Sequence, residues 1–363
     1  MKRKNAWTTY DEKQLTKLEK LCKNYIKFLD QGKTERECVK QIVKLAQEHG
    51  YVELTEVTKS GKPLKSGDKV YSVCMDKTVA MFQIGKKKLE KGMNILGAHI
   101  DSPRMDVKQN PLYESEDFAY LDTHYYGGIK KYQWVTLPLA LHGVIVKKDG
   151  SIETVNIGED KSDPVFCVTD LLIHLAGEQM EKKANKVIEG ENLDILVGSK
   201  PLKGEEKDAV KAGILAILKD KYGMDEEDFM SAEIEVVPAG RAREAGLDKS
   251  MIMSYGQDDR VCAYTSLAAM LEIENPDKTT CCLLTDKEEI GSVGATGMQS
   301  RFFENSVAEL MDAMGDFSEL SLLLRRIMLL IVAEVLCSVS LQAREVSREA
   351  MMRMQSISRE SAI

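Results

Sequence analysis

Apolar positions recur at helical spacing over residues 11–29 and again over 34–48, with charged side chains on the other faces, so the chain opens with two amphipathic helices. The second begins at Thr34-Glu35-Arg36-Glu37, where a hydroxyl and a glutamate three residues on form a capping-box pattern, and it stops at His49-Gly50. From Tyr51 the period shortens. Residues 70–75, 79–84 and 93–100 read as strands. The third, MNILGAHI, is apolar almost throughout, as expected of a strand buried on both faces of a mixed or parallel sheet.

The rhythm then changes. Residues from about 105 to 235 carry aromatic-rich, β-prone stretches at 113–126, 132–146 and 152–157. Helical patterns follow at 168–182 and 207–222, with a strand-like segment at 193–197 between them. An α/β alternation returns with a strand at 234–237, a helix at 261–272 and a strand at 280–284. The simplest layout is an α/β domain in two pieces, 1–104 and 236–326, interrupted by a mixed, β-rich insertion over 105–235. Residues 320–343 are very apolar, but Arg325, Arg326 and Glu334 interrupt them, so they fall short of a clean membrane span. The end of the chain, rich in Arg, Ser, Glu and Met, reads as a surface helix with a frayed tail.

Composition narrows the function classes. The chain has 363 residues, 43% of them hydrophobic and 30% charged, enough for a soluble protein of two domains or one domain with a large insertion. A net charge of -8, with no basic stripe interleaved with aromatics, argues against a nucleic-acid partner. The basic start has no apolar core behind it, so no signal peptide or membrane association is expected and the cytoplasm is the expected compartment. Eight scattered cysteines, with no CxxC pair, suit reduced and buried thiols. The five histidines are His49, His99, His124, His142 and His174, so any metal centre must lean on carboxylates.

Three places share one grammar: an apolar strand or loop, then acids or a histidine, then glycine or a helix start. In Cys281-Cys282-Leu283-Leu284-Thr285-Asp286-Lys287-Glu288-Glu289, a short apolar strand runs into two adjacent glutamates, with Gly291, Gly294 and Gly297 after them. Alone, that pair reads as a solvated acidic turn. In Gly97-Ala98-His99-Ile100-Asp101, His99 and Asp101 lie two apart and share a face of an extended chain, where a carboxylate can orient an imidazole. Alone, His99 reads as a satisfied core histidine. Asp258-Asp259, ahead of the helix at Val261, would by themselves only cap that helix and complement its dipole. Together the three supply what a two-metal hydrolase needs: a histidine, a shared aspartate, a ligating glutamate and a second glutamate to move protons.

These motifs carry a resemblance. Residues 97–104 (GAHIDSPR), Tyr126-Gly127-Gly128-Ile129, Gln257-Asp258-Asp259, Lys287-Glu288-Glu289-Ile290-Gly291 with Ser292, and Gln299-Ser300 together resemble the aspartyl aminopeptidase/aminopeptidase I family. The likeness runs from about residue 10 to Arg326, in matching order and spacing. It implies a cytosolic or vacuolar two-metal exopeptidase that removes N-terminal residues from peptides. It also implies a phosphorylase/peptidase-like α/β catalytic domain with an inserted dimerisation domain, and homo-oligomers in which dimers build a hollow tetrahedral dodecamer. Carried over by residue, the resemblance implies that His99 ligates one metal, Asp258 bridges both and Glu289 ligates the other. It makes Glu288 the general base acting on a metal-bridging water, Asp101 the residue that orients His99, and His174 an insertion-domain histidine reaching a neighbouring subunit's active site. A cis peptide bond after Asp258 is implied as well. The resemblance implies Zn²⁺ as the metal, and a set so rich in carboxylates also accepts Co²⁺ or Mn²⁺.

The likeness stops after Leu324-Arg325-Arg326. Family members continue with a further carboxylate ligand and a histidine near the C-terminus, whereas residues 327–363 contain neither histidine nor aspartate. The expectation is a frameshifted or truncated member in which each metal has lost one protein ligand and activity is weak or absent. Translating the other two frames beyond codon 326 tests it: if neither yields an Asp- and His-containing continuation, the frameshift idea fails. The rival readings are a catalytically weak or inactive assembly subunit of the same family and a related two-metal amidohydrolase such as a deacylase.

Overall fold

The computed structural model describes residues 5–315, so the expectations for residues 316–363, the apolar stretch and the aberrant tail included, lie outside the described residues. The described residues divide into two compact units: those up to Ser102 together with those from Ala242 onward, and Pro103–Arg241 between them.

The first unit opens with the two expected helices. In α1 (Glu12–Gln31) the Asp11 carboxylate accepts from the Gln14 N–H, and the Gln14 side chain accepts from the Asp11 N–H. Before α2 (Glu35–Glu48), the Thr34 hydroxyl accepts from the Glu37 N–H at 3.3 Å and the Glu37 carboxylate accepts from the Thr34 N–H at 3.1 Å. Each box satisfies N–H groups that the helix itself leaves without partners. A short strand β1 (Val52–Glu53) and a helix the periodicity did not signal, α3 (Leu54–Ser60), precede β2 (Lys69–Cys74), β3 (Thr78–Gln83) and β4 (Asn94–His99).

The chain then builds the second unit from β5 (Arg104–Ser115), β6 (Phe118–Tyr126), β7 (Leu139–Val146), β8 (Ile152–Ile157), the one-turn α4 (Gly177–Met180), β9 (Ile195–Gly198), α5 (Ala209–Tyr222) and β10 (Ala232–Pro238). Its six strands form an antiparallel sheet in the order β8-β7-β10-β5-β6-β9. The helix expected over 168–182 does not form; only α4 does. Leu171, Leu172, Ile173 and Leu175, whose apolar run suggested that helix, are 54%, 70%, 67% and 69% exposed. With nothing in the unit to pack against, they give no burial energy to offset the ordering of a helix.

Back in the first unit come the hairpin β11 (Arg243–Ala245) and β12 (Met251–Met253), then α6 (Gln257–Glu272), β13 (Thr280–Thr285) and α7 (Phe302–Ala313). The sheet order is β1-β2-β3-β13-β4, so the last strand among the described residues lies between two early ones. It runs antiparallel to β3 and parallel to β4. Alternate side chains sort to two layers. Val79, Met81, Cys282 and Leu284 meet α1, α2 and α6 through Tyr25, Phe28, Ile42, Tyr264 and Leu267. Ala80, Phe82, Cys281 and Leu283 meet α3 and α7 through Leu54, Phe303, Val307 and Leu310. This period-two sorting makes a mixed α/β unit with helices on both faces.

One expectation is corrected here. The strand buried on both faces is not β4 but β3 and β13, whose every residue is buried. Among the described residues β4 is the outermost strand, with Asn94 exposed and Ile95–Gly97 only half-buried. An apolar run signals burial without saying whether a further strand pairs beyond it. Cys38, Cys281 and Cys282 are buried thiols, and burial pushes Cys38 and Cys282 up to about 12. Among the described residues, no helix is long and apolar enough to cross a membrane.

Candidate metal centre

Parallel pairing of β4 with β13 sets His99 opposite Thr285, so the two strands end side by side. The segments that leave these strands therefore emerge at one edge of the sheet, where α/β proteins gather reactive groups. After β4 come Ile100 and Asp101; the Ile100 N–H donates to the Thr285 carbonyl at 2.8 Å and prolongs the pairing. After β13 come Asp286 and then Lys287, which adopts a left-handed φ of 68°. That conformation turns the chain into a single 3-10 turn, Glu288–Ile290, which carries both glutamates.

Asp258 arrives from α6. Gly256, at φ +76°, swings the chain into the helix, and a Cβ there would stand 1.9 Å from the Arg260 Nη1. Glycine is thus required both for its backbone and for the space it leaves. Asp258 and Asp259 depart from helical φ/ψ, and the peptide bond between them is cis, as the family likeness implied. The Ser102 hydroxyl donates to the Asp258 carbonyl at 2.8 Å. Arg260, 1% exposed, donates through Nε to the Ile100 carbonyl at 3.2 Å and through Nη2 to the Lys33 carbonyl at 2.8 Å. It pins the start of α6 to the end of β4.

His99 Nδ1 lies 3.0 Å from the Asp101 carbonyl and 3.3 Å from Asp101 Oδ1. Its other nitrogen, Nε2, lies 3.3 Å from Asp258 Oδ1 and 3.8 Å from Glu288 Oε2. Ligand-type atoms of His99, Asp258 and Glu289 all fall within 4.8 Å of one another. Asp101 is fully buried, and its two oxygens accept from the N–H groups of Glu288 and Glu289, each at 3.2 Å. One carboxylate therefore fixes both the imidazole and the turn that bears the glutamates. Sequence spacing pointed to the first contact and gave no hint of the second.

The electrostatics are those of a site crowded with acids. Burial alone would discharge His99, but the Asp101 and Asp258 hydrogen bonds and the charges of Asp101 and Asp259 overcome it and hold the ring at about 11. The bond from His99 keeps Asp258 below its usual range. Burial, only partly relieved by His99 and reinforced by Asp258, Asp101 and Glu288, lifts Glu289 to about 7. Such a cluster favours positive charge at its centre. One imidazole nitrogen and carboxylate oxygens this close together are a donor set that suits a borderline cation such as Zn²⁺.

Five of the six candidate residues thus gather in the first unit: His99, Asp101, Asp258, Glu288 and Glu289. His174 does not belong to this cluster; it sits in the second unit, on the exposed turn ahead of α4. Two residues that sequence reasoning passed over lie beside these segments, Arg260 at the start of α6 and Asp286 ahead of the glutamate turn. Arg260 signals itself only as a charge inside an otherwise apolar helix face, and Asp286 only as an acid at the end of a buried strand.

Comparison with known proteins agrees with the fold and the motifs. The profile of the family described as aminopeptidase I zinc metalloprotease (M18) matches residues 28–339, running past Arg326. A probable M18 family aminopeptidase 1 of Clostridium acetobutylicum is 61% identical over 320 residues, covering 88% of this chain and 69% of the relative. The crystal structure of an M18 family aminopeptidase from Thermotoga maritima superposes with a TM-score of 0.82 at 44% identity, over 88% of this chain and 68% of that one. The structure of an S. cerevisiae mApe1 dodecamer matches with a TM-score of 0.63 at 19% identity, over 82% of this chain and 67% of that one, a likeness of fold alone. The fold and these relatives define a metallohydrolase. In particular, the chain belongs to the aminopeptidase I zinc metalloprotease family, M18.

Proposed function

We propose that the chain is a two-metal aminopeptidase that hydrolyses the N-terminal residue of peptides, with His99 on one ion, Glu289 on the other and Asp258 shared. The observation that carries the reading is the convergence of His99, Asp258 and Glu289 within 4.8 Å. Zn²⁺ is the metal the family description supports, with Co²⁺ or Mn²⁺ as alternatives for the same donors. When bound, such ions polarise a carbonyl and lower the pKa of water.

The protein's own groups do the rest. Asp101 engages Nδ1 of His99 and so commits Nε2 to the side where Asp258 and Glu288 stand. By gripping the N–H groups of Glu288 and Glu289 together, Asp101 also holds the two carboxylates at a fixed offset, one half-buried and one exposed. Glu289, the less exposed, suits ligation. The Glu288 side chain is 57% exposed, which leaves it able to take a proton at the nucleophile and deliver it to the leaving amine.

The wider plan belongs to the same proposal. Residues 1–104 and 236–326 form a phosphorylase/peptidase-like catalytic domain, and 105–235 is an inserted dimerisation domain of a homo-oligomer. The exposed Leu171, Leu172, Ile173 and Leu175 support a subunit contact there, and His174 within the run would reach a neighbour's active site. Buried thiols at Cys38, Cys281 and Cys282 support a reducing, cytoplasmic setting.

Zinc content per chain, measured with release of free amino acids from short peptides, tests the reading. Bound zinc with release is expected; no tightly bound metal and no release would leave an inactive assembly subunit. Preference for N-acylated over free-amine substrates would instead make it a deacylase.

A further inference from the structure

The turn bearing Glu288 and Glu289 is gripped from two sides. Asp101 holds its front. Its back is held by Asp286, a fully buried acid at the end of β13 that lies outside the ligand set. Asp286 Oδ1 accepts from the Lys287 N–H at 2.7 Å, and Oδ2 accepts from the Thr296 hydroxyl at 2.5 Å. The Asp286 N–H donates to the Thr78 hydroxyl at 3.0 Å, and that hydroxyl donates to the Thr296 carbonyl at 2.6 Å. Thr78 and Thr296 are 1% and 3% exposed. A β-bridge between Asp286 and Gly297 closes the ring.

This ring does something specific at Lys287. A non-glycine residue in the left-handed region costs roughly 1–2 kcal/mol, so the chain reverts to an extended or right-handed path unless held. The carboxylate of Asp286 binds the N–H of Lys287, the residue with φ 68°. The Lys287 carbonyl in turn accepts from the Ser292 N–H at 2.6 Å, which draws the glycine-rich segment over the turn. If Lys287 relaxed, the 3-10 turn would swing away from Asp101, and the two glutamates would leave His99 and Asp258.

We propose that Asp286 is a positioning residue for the metal centre: through Lys287, Thr78 and Thr296 it fixes the left-handed turn that presents Glu289 to the metal and Glu288 to the substrate. The proposal rests on the ligand set given under Proposed function, and its test is built to fail separately from that set. Zinc affinity of the full chain is measured by competition with a chromogenic chelator, at a temperature well below unfolding, for the wild type, Glu289→Gln, Asp286→Ala, Thr296→Val and Thr296→Ser. Loss of a supporting group of this kind costs about 10- to 100-fold in metal affinity. That loss is expected for Asp286→Ala and for Thr296→Val, which keeps the shape of threonine but not its hydroxyl. Thr296→Ser restores the donor and should bind zinc as the wild type does.

Wild-type affinity in both folded Asp286→Ala and Thr296→Val overturns the proposal, as does equal loss in Thr296→Ser and Thr296→Val, which would mark the site as mere packing. Should Asp286→Ala not fold, the Thr296 pair decides alone. If Glu289→Gln binds zinc normally, the ligand set is wrong; if the wild type takes up none, that set falls and the proposal falls with it.

Discussion

Thr285 stands beside His99 in a parallel ladder, and that one pairing brings the two glutamates that come after Thr285 within reach of the histidine that ends the neighbouring strand. The division of labour between those glutamates is the first thing to test.

Glu288→Gln should leave zinc binding intact while lowering kcat by about 10²- to 10⁴-fold, the usual worth of a general base. Glu289→Gln should weaken zinc binding itself. Chelator competition and amino-acid release, run on both variants, check the assignment. Equal loss of metal in the two would show that the roles are not divided as proposed.

Asp101→Asn places an amide where His99, Glu288 and Glu289 present three groups to a carboxylate. An amide offers one acceptor oxygen, so at least one N–H of the turn faces a donor. Zinc affinity or turnover should fall by about 10- to 100-fold. Thermal stability of the metal-free variant, followed in parallel, separates this local effect from unfolding.

Arg260→Lys retains the charge but not the fork that reaches the Ile100 and Lys33 carbonyls. Hydrogen bonds from a charged donor contribute about 1.5–3 kcal/mol, and denaturant unfolding should register a loss of that order. Gly256→Ala should be destabilising at the same junction, since its Cβ would collide with the guanidinium.

Burial, with the charge of Glu35, lifts the Asp286 carboxyl from 3.8 to about 6, against the Thr296 hydrogen bond, Lys77 and Lys287. Because the folded chain then holds this proton more tightly than the unfolded one, the associated stability is complete below 3.8 and is lost as pH rises through about 6. The metal-free wild type should therefore lose stability relative to Asp286→Asn across that window, with a constant offset above about pH 7. Denaturant midpoints of the two proteins across the range check it. An offset that does not change with pH would contradict the shift.

Much of this was legible beforehand because the informative segments are regular. The capping box at Thr34 and the short β-prone runs of β2 and β3 each arise from local rules, and the observed ends lie within a residue or two of those expected. The chain's own motifs also pointed to His99, Asp101, Asp258, Glu288 and Glu289, which the structure gathers at one sheet edge. What spacing could not give was relation across the sheet. Whether β4 or β13 would be central depends on which strands pair, and no local pattern encodes that. The grip of Asp101 on the turn, and of Asp286 on Lys287, likewise joins groups whose nearness exists only after folding. Residues 168–182 misled for the opposite reason: their apolar pattern is real, but the surface that would complete it is not supplied within the unit.

The position of β13 bears on how the protein comes into being. Its partners β3 and β4 leave the ribosome long before it does, with the whole of Pro103–Arg241 synthesised in between. Until Thr280–Thr285 emerges, β3 and β4 have no strand to join them, and Asp101 has no turn to hold. Contacts so distant in sequence close late. The site is therefore incomplete until β13 has been made, because the turn that carries Glu288 and Glu289 follows it in sequence.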